Sequence, residues 1–257
     1  MFKKVKCLKY HDGVVVEREH EVVKEEPLVM SINGRHYATA MMSPQMKREF
    51  VIGHLFAEGI IKSIKEIESL ELEENTVRVL ISHPLQVLAV RKIIVTGCGS
   101  GSSFFDEAKV PKLNLDVEID AQEILDGVKT LLRSPLHEAT GGVHLVGLFE
   151  KYVHKYVSIS IVEDVGRHNA LDKVIGFGLL KNIDFEKTFV ASTGRISSEM
   201  ALKCSRANIP LVASRGATTS LAIELAEKSG LCIVGFVRGG QMNVYTHAER
   251  ILHSGSG

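Results

Sequence analysis

Tryptophan is missing from the 257 residues, and aromatic side chains make up only 6% of them. Cysteine occurs four times, at positions 7, 98, 204 and 232, and never as Cys-x-x-Cys. That spacing fits a reducing compartment better than a disulfide framework, so any special cysteine is expected to act alone. An excess of charge is missing as well. Lys plus Arg (31) balances Asp plus Glu (31), which leaves no global field to gather a polyanion and argues against nucleic acid as a partner. No apolar run approaches the roughly 18 residues of a membrane span. The opening Met1-Phe2-Lys3-Lys4-Val5-Lys6 lacks the apolar stretch of a signal peptide, so a cytoplasmic location is expected. A Gly-x-x-x-x-Gly-Lys-Ser/Thr loop is missing, which argues against a P-loop hydrolase. A zinc deaminase is disfavoured too: His144 is followed by Leu145-Val146 rather than x-Glu, and Pro-Cys-x-x-Cys does not occur. A lone histidine in an apolar strand is more often packed or hydrogen-bonded than a ligand.

What is present describes a folded protein. An apolar content of 45% with 24% charged residues is ordinary for a globular chain, and the length allows one large domain or two small ones, of which two is the expectation. Residues 28–32 and 37–41 flank Asn33-Gly34, a pair that suits a hairpin. Ser43 and Pro44 suit a helix start, followed by an apolar stripe of Phe50, Val51, His54 and Leu55 that ends at Gly59. Residues 76–81 read as a strand, and 92–96 as a short strand running into Gly97-Cys98-Gly99-Ser100-Gly101-Ser102-Ser103. That segment has little side chain to bury and is expected to be an exposed loop. Its glycine spacing resembles the start of a dinucleotide fingerprint, but no amphipathic helix follows.

Beyond 104–119, taken as a linker, Asp120 suits the cap of a helix whose apolar face is Ile124, Leu125, Val128, Leu131 and Leu132. From residue 143 onward, strands alternate with helices, which predicts a mostly parallel sheet and an α/β fold class. Four strand-to-helix crests carry arginine beside glycine: Gly166-Arg167, Gly194-Arg195, Arg215-Gly216 and Arg238-Gly239-Gly240. In a parallel sheet these crests share one edge, where helix N-termini add unpaired N–H groups, and the sum is an anion site. The blander alternative is that these arginines pair with Glu163, Asp164, Asp172 or Glu199 and only fasten loops.

Three of the cysteines read as small core or strand residues, while Cys98, flanked by glycines, has the freedom to meet a partner and a ligand in turn. At this point the chain resembles the formate dehydrogenase accessory sulfurtransferase (FdhD/NarQ) family. The resemblance rests on residues 50–61, on Thr140-Gly141-Gly142-Val143-His144, and on Glu163-Asp164-Val165-Gly166-Arg167-His168-Asn169-Ala170. It continues through Ser192-Thr193-Gly194-Arg195-Ile196-Ser197-Ser198-Glu199-Met200, Val234-Gly235-Phe236-Val237-Arg238 and Asn243-Val244-Tyr245-Thr246-His247.

The resemblance implies a cytidine-deaminase-like, three-layer C-terminal domain (120–257) after a smaller mixed α+β domain (1–103), and a homodimer. It implies that Cys98 accepts persulfide sulfur from a cysteine desulfurase and passes it to the molybdenum bis-guanine-dinucleotide cofactor before insertion into formate dehydrogenase. That cofactor is a bound substrate, and no catalytic metal of the protein's own is expected. The cofactor segment falls on Phe236, Val237, Arg238, Gly239, Gly240 and Gln241, with Arg195 and Arg215 joining from neighbouring crests. The family often shows Cys-Gly-x-Cys on the loop; here the second position is Gly101, so a two-cysteine relay within one chain is excluded. The alternative function is a chaperone that holds the cofactor without moving sulfur. His168 and His247 are candidates to assist Cys98 as proton donor or ion partner, or else they fix their own loops.

Overall fold

The computed structural model describes residues 1–83, 92–94 (backbone only), 111–113, 117–153 and 155–252. Strands β1 (Phe2–His11) and β2 (Val14–Val23) form a two-stranded ribbon of their own, turned by Asp12 and Gly13 at positive φ. Strands β3 (Glu26–Ile32) and β4 (Arg35–Met42) form the expected hairpin, with Asn33 (φ 48°) and Gly34 (φ 76°) supplying its two-residue turn. Strands β5 (Ile67–Glu73), β6 (Thr76–Ile81) and β7 (Lys92–Ile94) complete a five-stranded sheet ordered β5-β6-β3-β4-β7. Helix α1 (Lys47–Ala57) covers one face of it, packing Phe50, Val51 and Leu55 against Leu28, Met30, Ala40 and Val77. The helix begins later than Ser43 and Pro44 suggested, after Met46, which sits at φ 55° with no side-chain cap. Ser43 is committed elsewhere: its N–H donates to Asp164 Oδ2 (3.1 Å) and its hydroxyl accepts from the Val165 N–H (3.2 Å).

In the second half, β8 (Ile119–Asp120) leads into α2 (Ala121–Leu131), capped as expected by the Asp120 carboxylate accepting from Gln122 N–H. Helix α3 (Pro135–Thr140) follows, then β9 (His144–Tyr152), β10 (Lys155–Asp164), α4 (Arg167–Leu180) and β11 (Thr188–Ser192). Helix α5 (Ser198–Arg206), β12 (Leu211–Ser214), α6 (Ser220–Ser229), β13 (Cys232–Arg238), β14 (Gln241–Val244) and β15 (Ile251–Leu252) complete the order. The large sheet is ordered β10-β9-β11-β12-β13-β14, and β15 pairs with β8 outside it. The expectation of a mostly parallel sheet is corrected: only β11-β12 and β12-β13 pair in parallel, and the other three pairs are antiparallel. The reason is two tight returns, β9 to β10 and β13 to β14, each of which brings the chain back beside itself with no crossover helix.

Helices α4, α5 and α6 cover one face of this sheet over Val146, Leu148, Val190, Val212 and Ile233. Helix α2 covers the other, with Ile124, Val128 and Leu131 over Leu145, Phe149, Phe189 and Ala213. The fold is therefore mixed α/β, with a helical layer on each side of its larger sheet.

The two sheets are joined through α1 and α4, which cross at glycine. A Cβ on Gly53 would overlap the Asp172 carbonyl oxygen, and one on Gly176 would overlap the Glu49 carbonyl oxygen. This close approach explains why α1 buries both sides. Around the crossing run two buried polar clusters. Lys173 Nζ reaches Asp164 Oδ2 (2.5 Å) and the Ser43 carbonyl (3.0 Å), while Asn169 Nδ2 donates to the Met41 carbonyl (2.8 Å) and to Asp164 Oδ1 (3.1 Å). Asp172 meets Lys203 Nζ (2.6 Å) and His54 Nδ1 (2.9 Å), and the other nitrogen of His54 lies 3.3 Å from the Tyr37 hydroxyl. Burial works to lower the charge on both lysines. For Lys173 it prevails over Asp164 and the pKa is lowered, whereas for Lys203 the pull of Asp172 and Glu58 outweighs it and the pKa is raised.

Candidate functional site

Strand direction builds the site. Strand β9 lies between β10 and β11 and runs opposite to both, so β10, β11, β12 and β13 all point the same way. Their C-terminal ends share one edge, which places Arg167, Arg195, Arg215 and Arg238 along a single crest. The expected gathering therefore holds at the level of the backbone, although the sheet is not the parallel one that suggested it. Side chains divide the crest in two. Arg167 packs beside Gly194 and His144, since a Cβ at Gly194 would meet Arg167 Cβ at 3.0 Å and His144 Nδ1 at 3.2 Å. Arg215 and Arg238 instead line a cleft of about 430 Å³ together with Val237, Gly239, Gly240 and Lys129.

Local sequence explains that cleft. Phe236 takes φ 53° at a register shift between β13 and β14, and its N–H is held by the Gly216 carbonyl at 2.9 Å. Gly239 (φ 62°) and Gly240 (φ 75°) form a two-residue turn between Arg238 and Gln241, and a Cβ on either would meet nothing within 4 Å, so it is φ that asks for glycine there. The Arg238 guanidinium lies 5.5 Å from the centre of the Phe236 ring, which steadies it without using its N–H donors. Of the sequence-derived cofactor residues, Arg215, Val237, Arg238, Gly239 and Gly240 come together as cleft lining. Phe236 stands behind Arg238, Gln241 follows the turn exposed, and Arg195 is exposed on the neighbouring crest outside the lining.

Sequence reasoning missed the opposite wall, which is the flank of α2: Gln122, Asp126 and Lys129. Their spacing of four and three residues puts them on one helical stripe beside the apolar face, a signal that was readable but had no target until the sheet was built. Two of the helix N-termini at the crest carry side-chain caps, while α4, which starts after Gly166, has none. Met200 N–H at the start of α5 is occupied by Ser197 Oγ (3.5 Å) and Ala222 N–H at the start of α6 by Thr219 Oγ1 (3.3 Å), and neither helix lines the cleft.

Both histidines make the local bonds of the second reading, in which they fix their own loops. His168 Nε2 lies 2.9 Å from Ser197 Oγ and 3.4 Å from Glu199 Oε2, and burial, helped by Arg167 and Lys203, pushes its pKa down to about 3. Its bonds to Ser197 and Glu199 fasten α4 to α5, and the lowered pKa favours the neutral ring there. His247 follows β14, at the sheet edge opposite the crest, with Nδ1 3.0 Å from Glu249 Oε1. His144 is lowered by burial and then by Arg167, while burial raises Glu163.

Cys98 and the glycine loop lie outside the described residues, as does most of the expected linker 104–119. Cys204 and Cys232 are buried, which pushes each thiol up to about 12 and makes them inert core residues. Cys7 is half-buried in the ribbon. Among the described residues, no three His, Cys, Asp or Glu side chains come together in a way that could hold a metal ion, and no helix is long and apolar enough to cross a membrane.

With this geometry in place, the comparisons with known proteins are specific. Residues 23–252 match the model of the FdhD/NarQ family. The chain is 34% identical to the sulfur carrier protein FdhD of Bacillus licheniformis, with 97% of each chain covered. It is 36% identical to the protein of that name from Sulfolobus acidocaldarius, over 97% of this chain and 98% of the other. A crystal structure assigned to a formate dehydrogenase accessory protein from Desulfotalea psychrophila superposes with a TM-score of 0.78 at 30% identity, covering 98% of this chain and 99% of that one.

Proposed function

Given that the chain belongs to the FdhD/NarQ family, we propose that it is a sulfur carrier serving formate dehydrogenase maturation, with Cys98 as the carrier. In this reading the Cys98 thiolate attacks the outer sulfur of a cysteine desulfurase persulfide, the donor's S–S bond breaks, and the donor leaves as a thiolate. The outer sulfur then passes to the molybdenum bis-guanine-dinucleotide cofactor, bound as substrate through its pyrophosphates. The Cys98 S–S bond breaks, Cys98 leaves as a thiolate, and the two electrons that take the sulfur to the sulfide level would come from that substrate's reduced metal or from a thiol reductant. The second half takes the cytidine-deaminase-like arrangement, the protein works as a cytoplasmic homodimer, and residues 1–103 and 120–257 are its two domains.

The observation that carries the proposal is the cleft. Arg215, Arg238 and Lys129 converge on one concave site, beside a turn whose glycines leave the backbone open to close approach. Guanidinium groups hold phosphate oxygens through paired, charge-assisted hydrogen bonds, which suits a pyrophosphate. The carrier's tether gives further support. Strand β7 ends at Ile94, paired with Ala40, and the next residue of β4, Met41, is bonded to Asn169 in the first turn of α4. Cys98 is four residue steps beyond Ile94 in the sequence, a reach of at most about 14 Å. The four strand spacings from β10 to β13 amount to about 19 Å. A ligand held by its phosphates at β13 can extend its other end along the crest toward the thiol.

Two measurements test this. Incubation with a cysteine desulfurase and cysteine, followed by mass spectrometry, should show sulfur added at Cys98 and none in Cys98→Ala. Titration with GDP should show binding that Arg215→Ala and Arg238→Ala each weaken roughly tenfold. GDP binding without the adduct identifies the cofactor chaperone instead, and absence of both results refutes the proposal.

A further inference from the structure

The ribbon of β1 and β2 stands apart from both large sheets. Leu8 and Tyr10 are each 72% exposed and Val14 is 61% exposed, which is unusual for side chains of this size. The ribbon rests on its own chain through β2, where Val23 lies against Gly142 and Glu19 to Glu21 lie beside Ala139 of α3, while among the described residues the outer edge of β1 is left without a strand. A two-stranded ribbon of ten residues a strand held so lightly is marginal in water and calls for a partner.

Its edges say which partner. Strand β1 carries Lys3, Lys4, Lys6 and Lys9 and no acid. Strand β5, at the end of the five-stranded sheet, carries Glu68, Glu71 and Glu73 and no base. Among the described residues each of these strands is paired on one side only, β1 with β2 and β5 with β6. Every second residue of each strand therefore points its N–H and C=O outward with no ladder to join. Two copies of β1 would set lysine against lysine, and two copies of β5 would set glutamate against glutamate, so neither edge pairs with itself. Each is the complement of the other, and Leu8 and Tyr10 on one side and Leu72 on the other add exposed apolar surface beside the charges. Within one chain the two strands belong to different sheets.

We infer that β1 of one protomer adds to β5 of a second copy of this chain, extending the partner's sheet by strand addition, and that a two-fold axis repeats the contact so that both edges are closed. The inference rests on the homodimer part of the proposed function and not on the sulfur chemistry.

Charge reversal tests it. Lys3, Lys4 and Lys9 are changed together to Glu in one variant, and Glu68 and Glu71 together to Lys in another. Lys6 and Glu73 are left in place because they pair with Glu17 and Arg78 in their own chain. Sedimentation velocity of the full-length proteins gives the oligomeric state, with far-ultraviolet circular dichroism confirming the fold. The unmodified chain should be a dimer, and each variant alone should dissociate with a dimer constant weakened by roughly tenfold or more. An equimolar mixture of the two variants should recover the dimer, because both contacts in the mixed species then join opposite charges. A variant that merely failed to fold could not be rescued by mixing. A dimer indifferent to both reversals, or variants that stay monomeric when mixed, overturns this interface while the homodimer reading stands. A monomeric unmodified chain overturns both.

Discussion

Acidification should destabilise this protein through His168, and the size of the effect follows from where the ring sits. Its side chain is only 11% exposed, held between Ser197 and Glu199, so solvent screening removes little of the cost of charging it. Burial, with Arg167 and Lys203 nearby, lowers its pKa from 6.5 to about 3. The unfolded chain therefore binds a proton below about pH 6.5 that the folded chain refuses, and stability falls as the pH drops through that window, most of the loss coming before pH 3. At pH 5 the unfolded histidine is about 1.5 pH units below its own pKa, which amounts to roughly 2 kcal/mol relative to pH 7. The folded value lies so far beneath pH 5 that it barely enters that figure. His168→Gln keeps a donor for the Ser197 hydroxyl and removes the titration. Urea denaturation at pH 7 and pH 5 should show the unmodified protein losing about 2 kcal/mol more than the variant across that interval. His144, lowered by burial and Arg167, contributes in the same direction in both proteins and cancels in the comparison. Equal losses in the two would mean that His168 is protonated in the native state, and the assignment of a neutral ring would be wrong.

The junction between α1 and α4 supplies a second prediction: Gly176→Ala forces a Cβ onto the Glu49 carbonyl, where only backbone movement can relieve the overlap, and should cost about 3 kcal/mol or more by denaturant titration. Lys173→Met leaves Asp164 buried without its cation and should cost about 3 to 5 kcal/mol, with Asp164→Asn in the same chain recovering part of the loss. Cys204 and Cys232, with thiols pushed up to about 12, should resist alkylation in the native protein at pH 8 and react once it is unfolded, as peptide mapping after iodoacetamide treatment would show.

Elements whose cause is local were legible in the sequence. Asn33-Gly34 turns a hairpin because those two residues tolerate positive φ, and Asp120 caps α2 because its carboxylate reaches an N–H two residues on. Strand direction was legible in part: seven residues between the strands expected at 143–149 and 157–162 are too few for a crossover helix, so β9 and β10 had to be antiparallel, a limit that the alternation of strands and helices alone does not express. The crest of arginines was still found, since the returning strand reverses direction twice between β10 and β11 and the four crests end on one side. Ser43 was misread as a helix cap because its true partner, Asp164, lies 121 residues away. The α2 wall of the cleft was missed for a related reason: its polar stripe looks like any solvated helix flank until Arg215 and Arg238 are set opposite it.

The buried polar ties at the junction are poorly explained as a source of stability. A buried ion pair of good geometry roughly breaks even against its desolvation, and apolar side chains of similar volume would hold α1 to α4 at least as well. Position is what hydrogen bonds specify and apolar packing does not. The Ser43 N–H and carbonyl and the Met41 carbonyl are each bonded, directly or through Lys173, to Asp164 or Asn169 at the head of α4. These bonds fix the end of β4 against the crest to within hydrogen-bond tolerance, and β7, which precedes Cys98 in the chain, is laid along β4. Asp164 accepts hydrogen bonds from Ser43, Asn169, Lys173 and Gly166, and two of these, through Ser43 and Lys173, reach the end of β4. It holds the end of β4, along which β7 is laid, so on the proposed function loss of Lys173 should lower sulfur loading at Cys98 as well as stability, as mass spectrometry after incubation with a cysteine desulfurase would show.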